Sequence, residues 1–314
     1  MKRRALLRWL GAGSVGALAG CSETRYSQQA TQRTDTETES SPTSTPAPTN
    51  TPTSTSTATP ANTSTTRRSA ESSPYYLSIT YDSDRYLRVF TDIDESDKYE
   101  LISGDSAYSG RSLRVSIPQG EHYGADFGYY FGSAVGREPE ELYARYYLRF
   151  GEEFEVNGPG GKIPGFGGTY DRAGFGGRRS DGTNGWSARM AFDEALRGGG
   201  SIQLSYYVYH ADMSSKYGVT DRWNMGGSVG VLNPGRWYQI GCYCKLNTPG
   251  KDDGVLRGWV DGALAYDRTD WRWRTVDSLK IQQWWQNVYY GGSWHSPRNN
   301  EVFLDNLTLS ATPL

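Results

Sequence analysis

Cysteine is nearly absent: three in 314 residues. Cys21 stands near the N-terminus, and Cys242 and Cys244 lie two positions apart. On an extended strand, side chains at i and i+2 share a face, a geometry that rarely closes a disulfide. The pair reads as two small buried apolar groups, and a disulfide-stapled scaffold is excluded. Histidine is as scarce, with His122, His210 and His295 in no zinc-ligand spacing. No metal site is indicated; Asp252, Asp253 and Asp305, which could hold a structural calcium, read as turn formers. Nor is there an excess of positive charge. Residues 1–73 hold eight basic and five acidic side chains, so of the chain's 33 and 35 the remainder keeps 25 and 30. A nucleic-acid binder is excluded, and an anionic partner would have to be met by a local basic cleft. Helical periodicity is missing as well, and with it every all-α class.

What is present begins with "MKRRALLRWLGAGSVGALAGCS". A basic start and a short, glycine-rich apolar run make a secretory signal, too short to span a membrane. Arg3-Arg4 predicts twin-arginine export, and Leu18-Ala19-Gly20-Cys21 predicts a lipobox with Cys21 as the lipidated residue. Residues 22–73 are almost all Ser, Thr, Pro, Ala, Gln and Glu, with a possible N-glycan acceptor at Asn62. Such a segment cannot bury enough apolar area to offset its ordering entropy, and it reads as a disordered stalk. The sequence therefore predicts three parts: a signal over 1–21, a stalk over 22–73 and one folded domain over 74–314. The expected protein is extracellular, tied to the cell surface through its lipid alone, and monomeric.

In the domain, short alternating runs recur between Gly, Asn, Asp and Pro, which predicts an all-β sandwich or barrel. "ELYARYYLRF" puts Leu142, Ala144, Tyr146, Leu148 and Phe150 on one face, and Tyr143, Arg145, Tyr147 and Arg149 on the other. "VLRGWVDGALAYDR" predicts two strands about a tight turn at Asp261-Gly262. "WSARMAF" has an apolar face of Trp186, Ala188, Met190 and Phe192, opposite Ser187 and Arg189. "SIQLSYYVYHAD" sets Ile202, Leu204, Tyr206 and Val208 against Gln203, Ser205, Tyr207 and Tyr209. If these two strands share a sheet, Ser187, Arg189, Tyr207 and Tyr209 line one surface; otherwise they are ordinary polar positions on a solvated sheet. "GGKIPGFGG" surrounds Lys162 with five glycines and a proline, marking a loop or bent strand where another molecule comes close.

These blocks, together with "NTPGKDDGVLRGWVDGALAYDRTDWRWR" and "NNEVFLDNLTLS", resemble the alginate and glucuronan lyases of polysaccharide lyase families 14 and 20. The similarity runs from about Arg145 to Ser310. It implies a β-jelly roll of two antiparallel sheets, with a concave groove for an acidic polysaccharide. It also implies that Lys162, Ser187, Arg189, Tyr207 and Tyr209 are the catalytic groups. Gly161, Arg145 and Trp285 are the expected substrate contacts, Trp285 as one of several tryptophans that could stack on sugars. No cofactor is implied. Tyr206 offers a competing register for the Tyr-x-Tyr pair, but its place on the apolar face favours 207 and 209.

The implied chemistry suits these residue types. A lyase removes the C5 proton of a uronate and expels the group on O4. The carboxylate and its developing enolate charge need a cation or hydrogen-bond donors, for which the planar fork of arginine is fitted. A base must take the C5 proton and an acid must protonate O4. Tyr207 or Tyr209 suits either task, and Lys162 suits base or charge clamp. A non-catalytic carbohydrate-binding module could use the same residues. A glycoside hydrolase would need two carboxylates flanking one bond; the nearest acidic cluster, Glu138, Glu140 and Glu141, reads as a pre-strand turn.

Overall fold

A computed structural model describes residues 74–93, 97–156, 158–195, 199–225 and 227–314. The expected signal, Cys21 and the expected stalk lie outside the described residues. Within them, alternating apolar and polar residues build sixteen strands in two antiparallel sheets. In chain order these are β1 (Tyr75–Ile79), β2 (Asp92–Ile93), β3 (Tyr99–Ser103), β4 (Arg111–Ile117), β5 (Tyr123–Tyr130), β6 (Glu141–Phe150), β7 (Gly161–Gly168) and β8 (Trp186–Glu194). Then come β9 (Ile202–Tyr209), β10 (Val219–Arg222), β11 (Val231–Leu232), β12 (Tyr238–Lys245), β13 (Gly254–Val260), β14 (Ala263–Trp271), β15 (Gln283–Tyr290) and β16 (Asn300–Ser310). The first sheet runs β14-β13-β12-β6-β16-β4-β3, with β1 added on β16. The second runs β10-β9-β8-β7-β15-β5-β2, with β11 added on β9. The fold is an all-β jelly-roll sandwich. The turn between β13 and β14 is the tight one expected, Asp261 and Gly262 both at positive φ (49° and 80°).

The core lies between the sheets and is filled by the apolar faces named above. Leu142, Ala144, Tyr146, Leu148 and Phe150 of β6 meet Trp186, Ala188, Met190 and Phe192 of β8, all buried. Tyr146 donates its hydroxyl to Met190 Sδ at 3.1 Å, and Phe150 meets Phe192 edge to face at 5.4 Å between ring centroids. Cys242 and Cys244 are both free and buried, with Cys242 Sγ 3.4 Å from Met190 Sδ. Burial raises both thiols above their ordinary range, consistent with packing groups rather than reactive ones. Trp271, Trp273 and Trp284 are core residues as well. Tyr206 is fully buried and donates to the Arg257 carbonyl at 2.8 Å. That anchors the register of β9, and every second residue from Gln203 to Tyr209 turns away from the core.

Candidate active site

The outer face of the second sheet carries a cleft of about 410 Å³. Its centre follows from strand register. β8 pairs with β9 so that Arg189 stands opposite Tyr207 and Ser187 opposite Tyr209. β8 also pairs with β7, Arg189 opposite Gly165, after a register shift between Ile163 and Gly165. β15 continues the row, with Trp285 opposite Gly165 on one side and Gly128 on the other. One line across the sheet therefore reads Tyr207, Arg189, Gly165, Trp285, Gly128. Gly165 has no side chain, and a Cβ there would stand 2.5 Å from the Arg189 Cα. The bare strand lets the guanidinium of Arg189 reach across and stack on the Trp285 ring, 4.3 Å from its centroid. Lys162 lines the same cleft from the start of β7.

Arg189 is 7% exposed, and its Nη1 donates to Asn287 Oδ1 at 3.3 Å while its buried Nε has no partner. Burial holds its pKa below the ordinary arginine value, offset in part by the charge of Asp126. Lys162 donates to the Gly291 carbonyl at 2.8 Å and lies 4.5 Å from the centroid of the Tyr207 ring. Burial, with the nearby Arg189 charge, lowers its pKa from 10.5 to about 8. Tyr207 is pushed the other way by burial and by Tyr209, so its hydroxyl keeps its proton at neutral pH. Tyr209 packs edge-on against Tyr207 at 5.6 Å and accepts the Gly177 N–H at 3.2 Å. Gly218 makes room for both rings; a Cβ there would lie 2.9 Å from each.

Lys162, Arg189, Tyr207, Tyr209 and Trp285 thus line one cleft. Three expected residues do not. Ser187 stands on the right face, but it is fully buried and its Oγ donates to the Gly174 carbonyl at 2.6 Å. The segment between β7 and β8 folds back over it, and its hydroxyl is bonded to that segment. Gly161 is buried in β7, where a Cβ would come 2.1 Å from the Tyr289 carbonyl oxygen; it serves close strand approach. Arg145 belongs to the other sheet: β6 pairs with β12 and β16, and Arg145 lines a separate hollow with Tyr147, Gln239 and Thr308.

The cleft also holds residues not singled out in the sequence, chiefly Asp126, Asn287 and Tyr289. Asp126 Oδ1 accepts the Trp285 indole N–H at 2.6 Å, which fixes the ring under Arg189. A signal existed for β15: Gln283, Trp285, Asn287 and Tyr289 alternate in "QWWQNVYY". The acidic residues considered above go elsewhere. Glu138 accepts the Tyr170 hydroxyl, Glu140 pairs with Arg274 and Lys280, and Glu141 accepts the Tyr243 hydroxyl, so no two flank one cavity. Asp305 accepts from Ser112, Asp253 from Thr248, and Asp252 pairs with Arg272. Among the described residues no three His, Cys, Asp or Glu side chains converge to hold a metal ion.

Comparison with solved structures finds the same fold in several alginate lyases. Alginate lyase Aly36B superposes with a TM-score of 0.62 at 24% identity, over 76% of this chain and 97% of that one. The marine PL-14 alginate lyase from Aplysia kurodai gives 0.60 at 21%, over 76% and 99%. Alginate lyase vAL-1 from Chlorella virus gives 0.57 at 17%, over 71% and 93%. At these identities the likeness is one of fold. No curated protein matches the chain. The family model described as Polysaccharide lyase 14 matches residues 106–307, a span that contains every strand of the cleft from β5 to β15, and by that match the chain belongs to the polysaccharide lyase 14 family.

Proposed function

We propose that this chain cleaves a uronic-acid polysaccharide, of alginate or glucuronan type, by β-elimination. The observation that carries the reading is the pairing, in one cleft, of a buried arginine with a lysine whose pKa is near 8. Arg189, held by Asn287 and Trp285, takes the uronate carboxylate and stabilises the charge that spreads into it as C5 loses its proton. Lys162, a substantial fraction of it neutral at slightly alkaline pH, accepts that proton. Tyr207, which keeps its own proton, gives it to O4 as the C4–O4 bond breaks and the C4–C5 double bond forms. Exchange with solvent then removes the proton that Lys162 gained and restores the one that Tyr207 gave. Tyr209 holds Tyr207 in place. Incubating the full chain with polymannuronate, polyguluronate and polyglucuronate should give the ultraviolet absorbance of an unsaturated uronate with at least one. Binding without any such rise would instead assign a non-catalytic carbohydrate module.

The same proposal includes place and state: an extracellular monomer held at the cell surface by a lipid on Cys21. Arg3-Arg4, the lipobox ending at Cys21 and the Ser/Thr/Pro-rich segment support the place. Cys21→Ser should move the protein from the membrane fraction to the medium or the soluble fraction; unchanged membrane association would sink the anchor.

A further inference from the structure

Beside Lys162 the cleft is walled by Tyr123, Tyr289, Gly291 and Gly292. The Tyr289 ring has its centroid 5.6 Å from Lys162 Nζ and stacks on His122, 5.7 Å between centroids with the planes 16° apart. Tyr123 packs against Tyr289 at 4.9 Å, and His295 against His122 at 4.2 Å. Contact by contact, a row of rings leads from the lysine through Tyr289 and His122 to His295, which is exposed. Backbone bonds hold the row. Gly120 N–H donates to the Ser296 carbonyl and Ser296 N–H to the Glu121 carbonyl, both at 2.9 Å, which ties the turn before β5 to the segment between β15 and β16. Tyr290 N–H donates to the His122 carbonyl at 2.7 Å. The charges on these two segments are engaged elsewhere, Glu121 with Lys98 and Arg298 with Glu153. The surroundings of His122 fix its chemistry. Its Nδ1 lies 3.0 Å from the Tyr290 carbonyl oxygen, which can only accept, so Nδ1 carries the proton. In the neutral ring Nε2 is then an acceptor, and it has no hydrogen-bond partner among the described residues.

We infer that this row is a second sugar site, which takes the uronate next to the cleaved one on the Lys162 side, with His122 Nε2 accepting a hydrogen bond from one of its hydroxyls. This rests on the lyase reading and extends it along the substrate chain. A pyranose carries C–H groups on its faces and hydroxyls at its rim. The faces pack on aromatic rings as other apolar surface does, and a few placed polar groups set the orientation. Tyr123 and Tyr289 offer the rings, and His122 offers the acceptor. An ionised carboxylate cannot donate, so His122 orients this sugar by a hydroxyl, while Arg189 holds the carboxylate of its neighbour. The row touches no reacting atom. What it contributes is equal in ground state and transition state, so it lowers KM without raising kcat.

The test measures kcat and KM of the full chain on polymannuronate, polyguluronate and polyglucuronate at about pH 8, where histidine is largely neutral. His122→Phe keeps a ring in the row and loses the acceptor. His122→Asn keeps a donor for the Tyr290 carbonyl and loses both ring and acceptor. On the uronan that is cleaved, KM should rise about fivefold in the first and about tenfold in the second, the scale of one lost hydrogen bond without and with its stacking surface. In both, kcat should stay within about twofold. His295→Ala, at an exposed position outside any strand where folding is not at risk, should raise KM about threefold. Thermal unfolding of the three variants confirms that each is folded. Wild-type KM throughout, or a loss that falls on kcat, overturns the inference and leaves the lyase reading intact. Absence of unsaturated product from every uronan ends the lyase reading. The calorimetric affinities of the wild type and the three variants for the same uronans then decide the row by itself, equal values overturning it.

Discussion

The two sheets present outer faces written in almost the same alphabet. On β6 of the first sheet, Tyr143, Arg145, Tyr147 and Arg149 alternate outward; on β8 and β9 of the second, Arg189, Tyr207 and Tyr209 do. On the first face, side chains cover one another. Tyr143 stacks on Tyr243 at 4.4 Å, Tyr147 on Tyr108 at 3.8 Å, and Arg149 lies over Phe303 at 4.5 Å. On the second, β7 contributes glycine where a side chain would stand, and Arg189 and Trp285 meet across the gap. Arginine and tyrosine do not make a site by themselves. The missing side chains between them make the cleft, because they leave a space onto which a buried cation opens.

The most direct way to break this contrast is to remove one cation from each face. Lys162→Met should lower turnover on the cleaved uronan by about a thousandfold, within the range for losing a positioned acid–base group. Arg145→Met, on the first sheet, should stay within about twofold. Initial rates of unsaturated product decide it; comparable losses from both would mean that the first face takes part in the reaction.

Arg189→Lys sharpens the same point at lower amplitude. It keeps the charge but loses the planar fork and the stacking on Trp285. We expect kcat/KM to fall by about a hundredfold, with part of the loss in KM because the ground-state carboxylate is already held. A variant with wild-type kcat/KM would remove Arg189 from the carboxylate site.

How far the sequence led is plain from these same residues. Period-2 alternation separated Tyr206 from Tyr207 and Tyr209, and it put Arg189 and Ser187 on one face, because in a half-buried strand the apolar set fixes which way every side chain points. It could not assign strands to sheets. Arg145 alternates as convincingly as Arg189, and only the pairing of β6 with β12 and β16 sends it to the other side. Loops were equally illegible. The covering of Ser187 depends on the segment between β7 and β8 returning over the sheet, and that return has no period to read. Asp126, Asn287 and Tyr289 reach the cleft from strands far along the chain. Their neighbours in space are not their neighbours in sequence.

Titration offers a third test confined to the second face. The Lys162 pKa is lowered from 10.5 to about 8. As a base it works neutral, so kcat/KM should rise about tenfold per pH unit below 8 and flatten above it. Stability follows the same shift. Because the folded pKa lies below the unfolded value, the unfolded chain binds more protons between pH 8 and 10.5, and folding stability gains as pH rises through that window. At pH 7 the charged Lys162 is held against this penalty, at most about 3 kcal/mol. Thermal unfolding should show Lys162→Met gaining on the wild type at pH 7, by an increment that vanishes near pH 10.5. A flat rate profile through pH 8 would transfer the base role to a tyrosine.

The smallest expected effects come from the glycines themselves, one on each face. At Gly165 a Cβ would stand 2.5 Å from the Arg189 Cα and 2.6 Å from the Ala188 carbonyl oxygen, both backbone atoms that cannot yield without moving β8. Gly165→Ala should therefore cost about 2 kcal/mol of stability, the scale of overpacking a filled site. At Gly241, on β12 opposite Arg145, the nearest atom is a Trp259 side-chain carbon at 3.4 Å, an ordinary contact. Gly241→Ala removes strand-weakening glycine at little steric cost and should leave stability within about 0.5 kcal/mol, or raise it slightly. Denaturant unfolding of the two variants, with slopes compared to confirm a common unfolded state, reads the difference. If Gly165→Ala proved as mild as Gly241→Ala, β7 and β8 would have room to part. The close strand approach that lets Arg189 reach Trp285 would then be a loose fit, and the glycines of β7 would owe their place to the ligand alone.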